Sequence, residues 1–212
     1  MQHKNISIAD QIFEHLENDI LVGNYKQGEI LTETGLSESL GVSRTPVREA
    51  VLRLEQEHLV VLVPKGIRVV GISFDDMKVI FDMRIRIEGL AARLAAEKAT
   101  DEQIHDLKEF VDLQEFYCNK QDTDNIQIMD SNFHKTLYQM THSIHLYQIL
   151  YELHKKTLKY RGVSIAKKAR AQLSVKEHRD ICNAIAERNG DLAEALTIKH
   201  IENAKENILK IQ

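Results

Sequence analysis

The sequence predicts a mainly α-helical protein with one small β element near residue 65. Three observations carry that prediction. The 212-residue chain holds only two prolines and nine glycines, and Leu, Ala, Glu, Lys and Ile are abundant, a mix that favours helix. From residue 75 onward, helix-like segments follow one another with only short breaks. One stretch alone, "LVVLVPKGIRVV" at 59–70, switches to β-branched runs flanking Pro64-Lys65-Gly66 and reads as a β-hairpin. The length allows one large or two small domains. The joint at Gly71-Ile72-Ser73-Phe74-Asp75 divides the chain into residues 1–71 and 72–212.

In the first part, Ser7 to about Val22 reads as a helix. Ile8, Ile12, Leu16 and Ile20 recur every four residues, with Phe13 beside them. Gly23-Asn24 ends it. A loop through Lys26-Gln27-Gly28 leads to a short helix near Glu33–Leu40, closed by Gly41. Ser43 suits an N-cap, and Pro46 is tolerated in the first turn, where its missing N–H matters little. Val47, Ala50, Val51 and Leu54 form the buried face of that next helix. Helix, short helix, glycine turn, helix, hairpin is the order of a winged helix-turn-helix, whose second turn helix enters the DNA major groove by its N-terminal residues.

The stretch "VSRTPVREA" at 42–50 fits that role. Arg44, Thr45 and Arg48, with Ser43, project from the leading end of the recognition helix. Arginine suits paired hydrogen bonds with guanine, and a helix N-terminus favours phosphate. Lys65 at the hairpin tip would lie near the backbone or minor groove. The alternative is a set of solvated arginines on an ordinary surface helix. Whole-chain charge does not speak for nucleic acid: the net is −4. Residues 1–71 hold 7 Lys+Arg against 10 Asp+Glu, and residues 72–212 hold 21 against 22. The local balance differs, with five basic residues (Arg44, Arg48, Arg53, Lys65, Arg68) against three acidic (Glu49, Glu55, Glu57) from Ser43 to Val70. Phosphate contacts answer to that local charge.

No apolar run approaches the roughly 20 residues of a membrane helix; the longest, Leu59 to Val63, stops at Pro64. Met1-Gln2-His3-Lys4 is not followed by an apolar leader core. Cys118 and Cys182 stand far apart and read as reduced, partly buried thiols of a cytoplasmic protein.

Beyond the joint, helices are expected at about 75–98, 101–119, 124–142, 144–160, 167–189 and 191–211, with breaks at Thr100-Asp101, Gln121–Thr123, His142-Ser143, Arg161-Gly162 and Asn189-Gly190-Asp191. Asp191 with Glu194 resembles a capping box. Asp130 and His134 stand at i and i+4 in "DSNFH", on one helix face. His178 and His200 flank the Asn189-Gly190 turn nearly symmetrically. If the two helices pack antiparallel, both imidazoles lie about 16 Å from the turn and at one level. One carboxylate and three imidazoles suit a divalent metal, Zn²⁺ or Ni²⁺ first, Mn²⁺ or Fe²⁺ next. The alternative is buried histidines hydrogen-bonded in a core, since ten histidines always yield some helically spaced pair.

The stretch "LSESLGVSRTPVREAVLRLEQEHLVVLVPKGIRVV" resembles the DNA-binding domain of the GntR family of bacterial transcription regulators. The resemblance implies that Arg44, Thr45, Arg48, Lys65 and Gly66 contact operator DNA. Two departures stand out: Thr34 replaces an arginine common in the first helix of the turn pair, and His58 replaces the glycine of "EGLV". Residues 75–211 are similar to the all-helical FCD-type effector domain of the FadR subfamily. Its Asp-x-x-x-His, Glu-His and distant His pattern falls on Asp130, His134, Glu177-His178 and His200. The resemblance implies a divalent metal there, a small organic or sugar acid beside it, and Arg84, four residues before Glu88, as a carboxylate clamp. The alternative for Arg84 is a surface i,i+4 pair with Glu88.

The expected function is that of a homodimeric regulator whose operator affinity follows a small carboxylate effector bound near a divalent metal. The competing expectation is a helical-bundle metalloenzyme acting on a small organic acid, although no general base, phosphate loop or nucleophile motif is placed by the sequence.

Overall fold

A computed structural model describes residues 7–210; Met1–Lys4, read for a leader, lie outside them. The chain divides after Phe74 into two compact units.

Unit 1 contains α1 (Ile8–Val22), β1 (Ile30–Leu31), α2 (Glu33–Leu40), α3 (Arg44–Gln56), β2 (Val60–Val63) and β3 (Gly66–Val69). α1 starts in a capping box, with Ser7 and Asp10 exchanging side-chain and backbone hydrogen bonds, and stops at Gly23 in the left-handed region. Ile12, Phe13, Leu16 and Ile20 are buried, but Ile8, counted in the same apolar series, is exposed. α2 is capped by Thr32, whose hydroxyl accepts from Gly35 N, and ends at Gly41. α3 buries Val47, Ala50, Val51 and Leu54 against α1 and α2, the face expected for it. The hairpin turns on Pro64 and Lys65, between the paired Val63 and Gly66.

The sheet has a third strand that the sequence does not announce. β1 pairs antiparallel with β3, Ile30 opposite Arg68 and Leu31 opposite Ile67, giving the order β1-β3-β2. Gly66 (φ 137°) lies so close to β1 that a Cβ would collide with the Leu31 carbonyl. On the outer side of β2, Leu62 N–H donates to Glu55 Oε1 of α3 at 3.1 Å.

Unit 2 contains α4 (Phe74–Lys98), α5 (Asp101–Lys120), α6 (Thr123–Gln139), α7 (Ile144–Lys155), α8 (Leu158–Ile165), α9 (Lys168–Ala186) and α10 (Gly190–Leu209). Small residues of α4 (Ala91, Ala92, Ala95, Ala96) share one core with Leu107, Val111, Phe133, Leu137, Ile181 and Ile185. Three expectations are corrected here. The segment 144–160 is not one helix: it breaks at Lys156-Thr157, where the Thr157 hydroxyl donates to His154 O. Arg161-Gly162, expected as a break, lies inside α8. Asp191 and Glu194 do not form a capping box. Asn189 caps α10 by accepting from Leu192 N, and both acids pair instead with Arg93 of α4, at 2.6 and 2.5 Å. Cys118 and Cys182 are free thiols and buried. Among the described residues, no helix is long and apolar enough to cross a membrane.

Candidate functional site

Unit 1 exposes Ser43, Arg44, Thr45 and Arg48 at the leading end of α3 and Lys65 at the hairpin tip. Ser43 occupies the N-cap position but makes no side-chain capping bond. The first turn of α3 also carries no acidic residue, so its N-terminal partial positive charge is not neutralised from within the helix. Gly66, expected at DNA, has a demonstrable packing reason for being glycine, its approach to β1. One residue that the sequence reading passed over stands among these groups. Glu33, the first residue of α2, reaches Arg44 NH2 at 3.0 Å through Oε2 and Arg48 Nε at 3.5 Å through Oε1.

Unit 2 brings the predicted histidines together. α6 carries Asp130 and His134, α9 carries His178 and α10 carries His200, and all four are buried. The antiparallel pairing of α9 and α10 about the Asn189 turn sets His178 Nε2 3.3 Å from His200 Nε2. One ring nitrogen from each of the three histidines lies within 4.8 Å of the others. Asp130 is adjacent, its Oδ1 3.8 Å from His178 Nε2, while its Oδ2 accepts from Arg161 NH2 at 2.5 Å.

The far side of two of the three rings meets a hydrogen-bond acceptor. Gln114 Oε1 lies 2.8 Å from His178 Nδ1, and Glu177 Oε2 lies 2.7 Å from His200 Nδ1. Glu88 Oε2 lies 3.3 Å from His134 Nδ1, off the line of a hydrogen bond. These partners orient the two rings so that Nε2 of His178 and Nε2 of His200 point at each other, 3.3 Å apart. Burial pushes the His178 pKa well below the ordinary range, and the neighbouring His200 pushes it the same way. Three converging imidazole nitrogens with a carboxylate beside them are the donor set of a divalent cation, so the residues fit a metal of the class expected.

Arg84 is not the surface partner of Glu88. It is buried, donates from Nε to Glu88 Oε1 at 2.5 Å and from NH1 to Thr157 Oγ1 at 3.1 Å. Burial acts to raise the Glu88 pKa, but the Arg84 charge and then His134 outweigh it and hold the carboxyl at about 2. Asp130 behaves likewise: burial opposes ionisation, and Arg161, followed by the histidines, keeps it ionised. A pocket beside the histidines is lined by Arg84, Arg161 and Arg170 together with Asp130, His134 and His200. Arg161 also donates to Ser131 Oγ at 2.9 Å and to His154 Nε2, while its buried Nε has no partner. Sequence reasoning missed Arg161, Arg170 and Gln114. Arg161 was hidden by being taken for a break, and no local pattern marks the other two.

Residues 8–69 match the family model described as bacterial regulatory proteins, gntR family, and residues 79–203 match the FCD domain. The HTH-type transcriptional regulator YdhC of Bacillus subtilis (strain 168) is 28% identical over 201 residues, covering 93% of this chain and 89% of that protein. The HTH-type transcriptional repressor RspR of Escherichia coli (strain K12) is 27% identical over 206 residues, with 97% and 90% covered. The solved structure of E. coli McbR/YncC superposes with a TM-score of 0.84 at 20% identity, over 97% of this chain and 99% of that one, which bears on the fold.

Proposed function

Since the chain belongs to the GntR family of bacterial regulatory proteins, with an FCD domain as its second unit, we propose that its operator affinity is set by a small carboxylate metabolite bound beside a divalent metal. The protein is a transcriptional regulator and not an enzyme, as its relatives are; the metalloenzyme alternative is set aside. The observation that carries the effector reading is that three arginines and the histidine cluster line one pocket; its cavity of about 30 Å³ takes a single water or ion, so side chains lining it have to move aside for an acid.

Asp130, His134, His178 and His200 would hold the cation, which would supply a fixed positive centre for one end of an acid. Arg161 is the group best placed to meet a carboxylate, because its unpartnered buried Nε is a donor awaiting an acceptor. Arg170 shares its charge with Glu177 at 2.9 Å, and Arg84 is committed to Glu88. In the proposed homodimer, two copies of α3 read the halves of a near-palindromic site through Arg44, Thr45 and Arg48, with Ser43, Lys65 and Gly66 beside them. An effector that prefers one arrangement of the dimer changes DNA affinity by its coupling free energy, about 1–3 kcal/mol.

The test combines metal analysis with DNA selection. Purified without chelator, the chain is expected to hold one Zn²⁺ or Ni²⁺ per protomer, lost in His178→Ala. It is also expected to enrich a palindrome from genomic fragments, and organic or sugar acids should shift its affinity for that palindrome only in the metal-loaded form. A chain that takes up no divalent metal, or whose operator affinity ignores every acid tried, sinks the effector reading.

A further inference from the structure

We propose that Glu33 is a specificity-determining residue of the DNA interface: its carboxylate ties Arg44 and Arg48 into one arrangement and repels phosphates from the pair. The proposal rests on the reading of α3 as the helix that meets DNA.

The geometry is that of one carboxylate shared between two arginines, one oxygen to each. The Glu33 side chain is 23% exposed, whereas those of Arg44 and Arg48 are 66% and 73% exposed. The acid is thus much less exposed than the two cations it pairs with. Its own position is fixed by the start of α2, where Thr32 caps the helix and an acidic residue in the first turn suits the helix dipole. Each arginine is engaged through a single nitrogen, NH2 of Arg44 and Nε of Arg48. A guanidinium has five N–H donors, so both keep the donors that a guanine edge requires.

The charge arithmetic explains why a carboxylate belongs at such a place. From Ser43 to Val70 the balance is five basic residues against three acidic; extended back to Glu33, which adds Glu33 and Glu38, it is five against five. Non-specific affinity for DNA follows phosphate neutralisation. A half-buried negative charge beside the two leading arginines weakens that sequence-independent attraction. Contacts to base edges, which depend on where the guanidinium groups are held, are weakened less. Specificity is the difference between the two affinities.

Glu33→Gln keeps the size of the side chain and removes its charge. Binding of this variant to a duplex of random sequence is expected to strengthen about two- to fivefold, the range of an exposed ion pair, with a salt dependence steeper by about 0.9 in log–log slope, one further phosphate. Sequences that it enriches from a random library should be less sharply defined than those enriched by the parent chain. Glu33→Asp keeps the charge and shortens the reach; it should retain the weak non-specific binding and still lose sharpness. Matching thermal melts of the three proteins show that the fold is intact. Unchanged random-duplex affinity and slope in Glu33→Gln, or equally sharp selection, overturns the proposal and leaves the α3 reading standing. A parent chain that enriches no sequence overturns both.

Discussion

Glu177 of α9 and His200 of α10 meet at 2.7 Å, carboxylate Oε2 to ring Nδ1. The contact fixes which nitrogen of His200 faces the cluster, and Glu177 is itself held by Asn203 and Arg170. Carboxylates behind a ligating imidazole raise its basicity and lock its orientation. Glu177→Gln is therefore expected to lower affinity for Zn²⁺ about 10- to 100-fold, measured by competition with a chromophoric chelator, with the metal-free melt little changed. An unchanged affinity would assign Glu177 to bracing Arg170 and Asn203 alone.

Arg84→Ala should be among the most damaging single changes in unit 2. The pair it forms with Glu88 is almost wholly out of solvent, and removal of one partner strands the other charge in the interior. The expected loss is about 3–5 kcal/mol, read from urea unfolding. Replacing Arg84 and Glu88 together by methionine should recover much of it, because the uncompensated charge then disappears. A loss below about 1 kcal/mol would place the pair in the surface class and contradict the burial seen here.

His58 has φ 58°, in the left-handed region, immediately after the C-cap of α3. Its N–H donates to Glu55 O at 3.0 Å, and Leu59 N–H donates to Leu54 O at 2.9 Å, so the turn is fixed by the helix end. A side chain there costs about 1 kcal/mol relative to glycine. His58→Gly is expected to raise the stability of unit 1 by about that amount, seen as a higher thermal midpoint. No gain would mean that the imidazole makes a compensating contact.

Acid should weaken unit 1 partly through Asp10. Its carboxylate accepts from Ser7 and pairs with Arg53 at 2.5 Å, and these bonds, Ser7 first, lower its pKa in the folded chain. A group depressed on folding contributes stability above its unfolded value, about 3.9, and loses it as pH falls through the folded value. Asp10→Asn should therefore be less stable than the parent at neutral pH and converge on it below about pH 3.9. A gap that stays constant across that range would show that the loss does not come from the ionisation of Asp10.

The periodic features were legible in the sequence. Four-residue spacing located α1, and the apolar set of α3 is the buried set. The symmetric distances of His178 and His200 from the Asn189 turn anticipated their meeting. What stayed hidden depends on partners far along the chain. β1 is two residues long, too short for an alternation to show, and exists because β3 lies beside it. Asp191 and Glu194 have local spacing suited to a cap but are drawn to Arg93, about a hundred positions away. Lys156-Thr157 breaks a helix with neither glycine nor proline, through a threonine that turns back to His154. Glu33 carried no signal at all, because its significance lies in two arginines that only folding brings to it.

The bond from Leu62 N–H to Glu55 has a consequence for how copies of this protein coexist at high concentration. β2 is the edge of the sheet on the side away from β1, and Leu62 is substantially exposed on it. An apolar edge strand with open backbone donors is a template on which a neighbouring chain can add a strand. Glu55 occupies one such donor with its side-chain Oε1. Any strand seeking to extend the wing would have to displace that carboxylate and accept its charge at the new junction. The occupied donor makes β2 a poorer template for pairing between molecules.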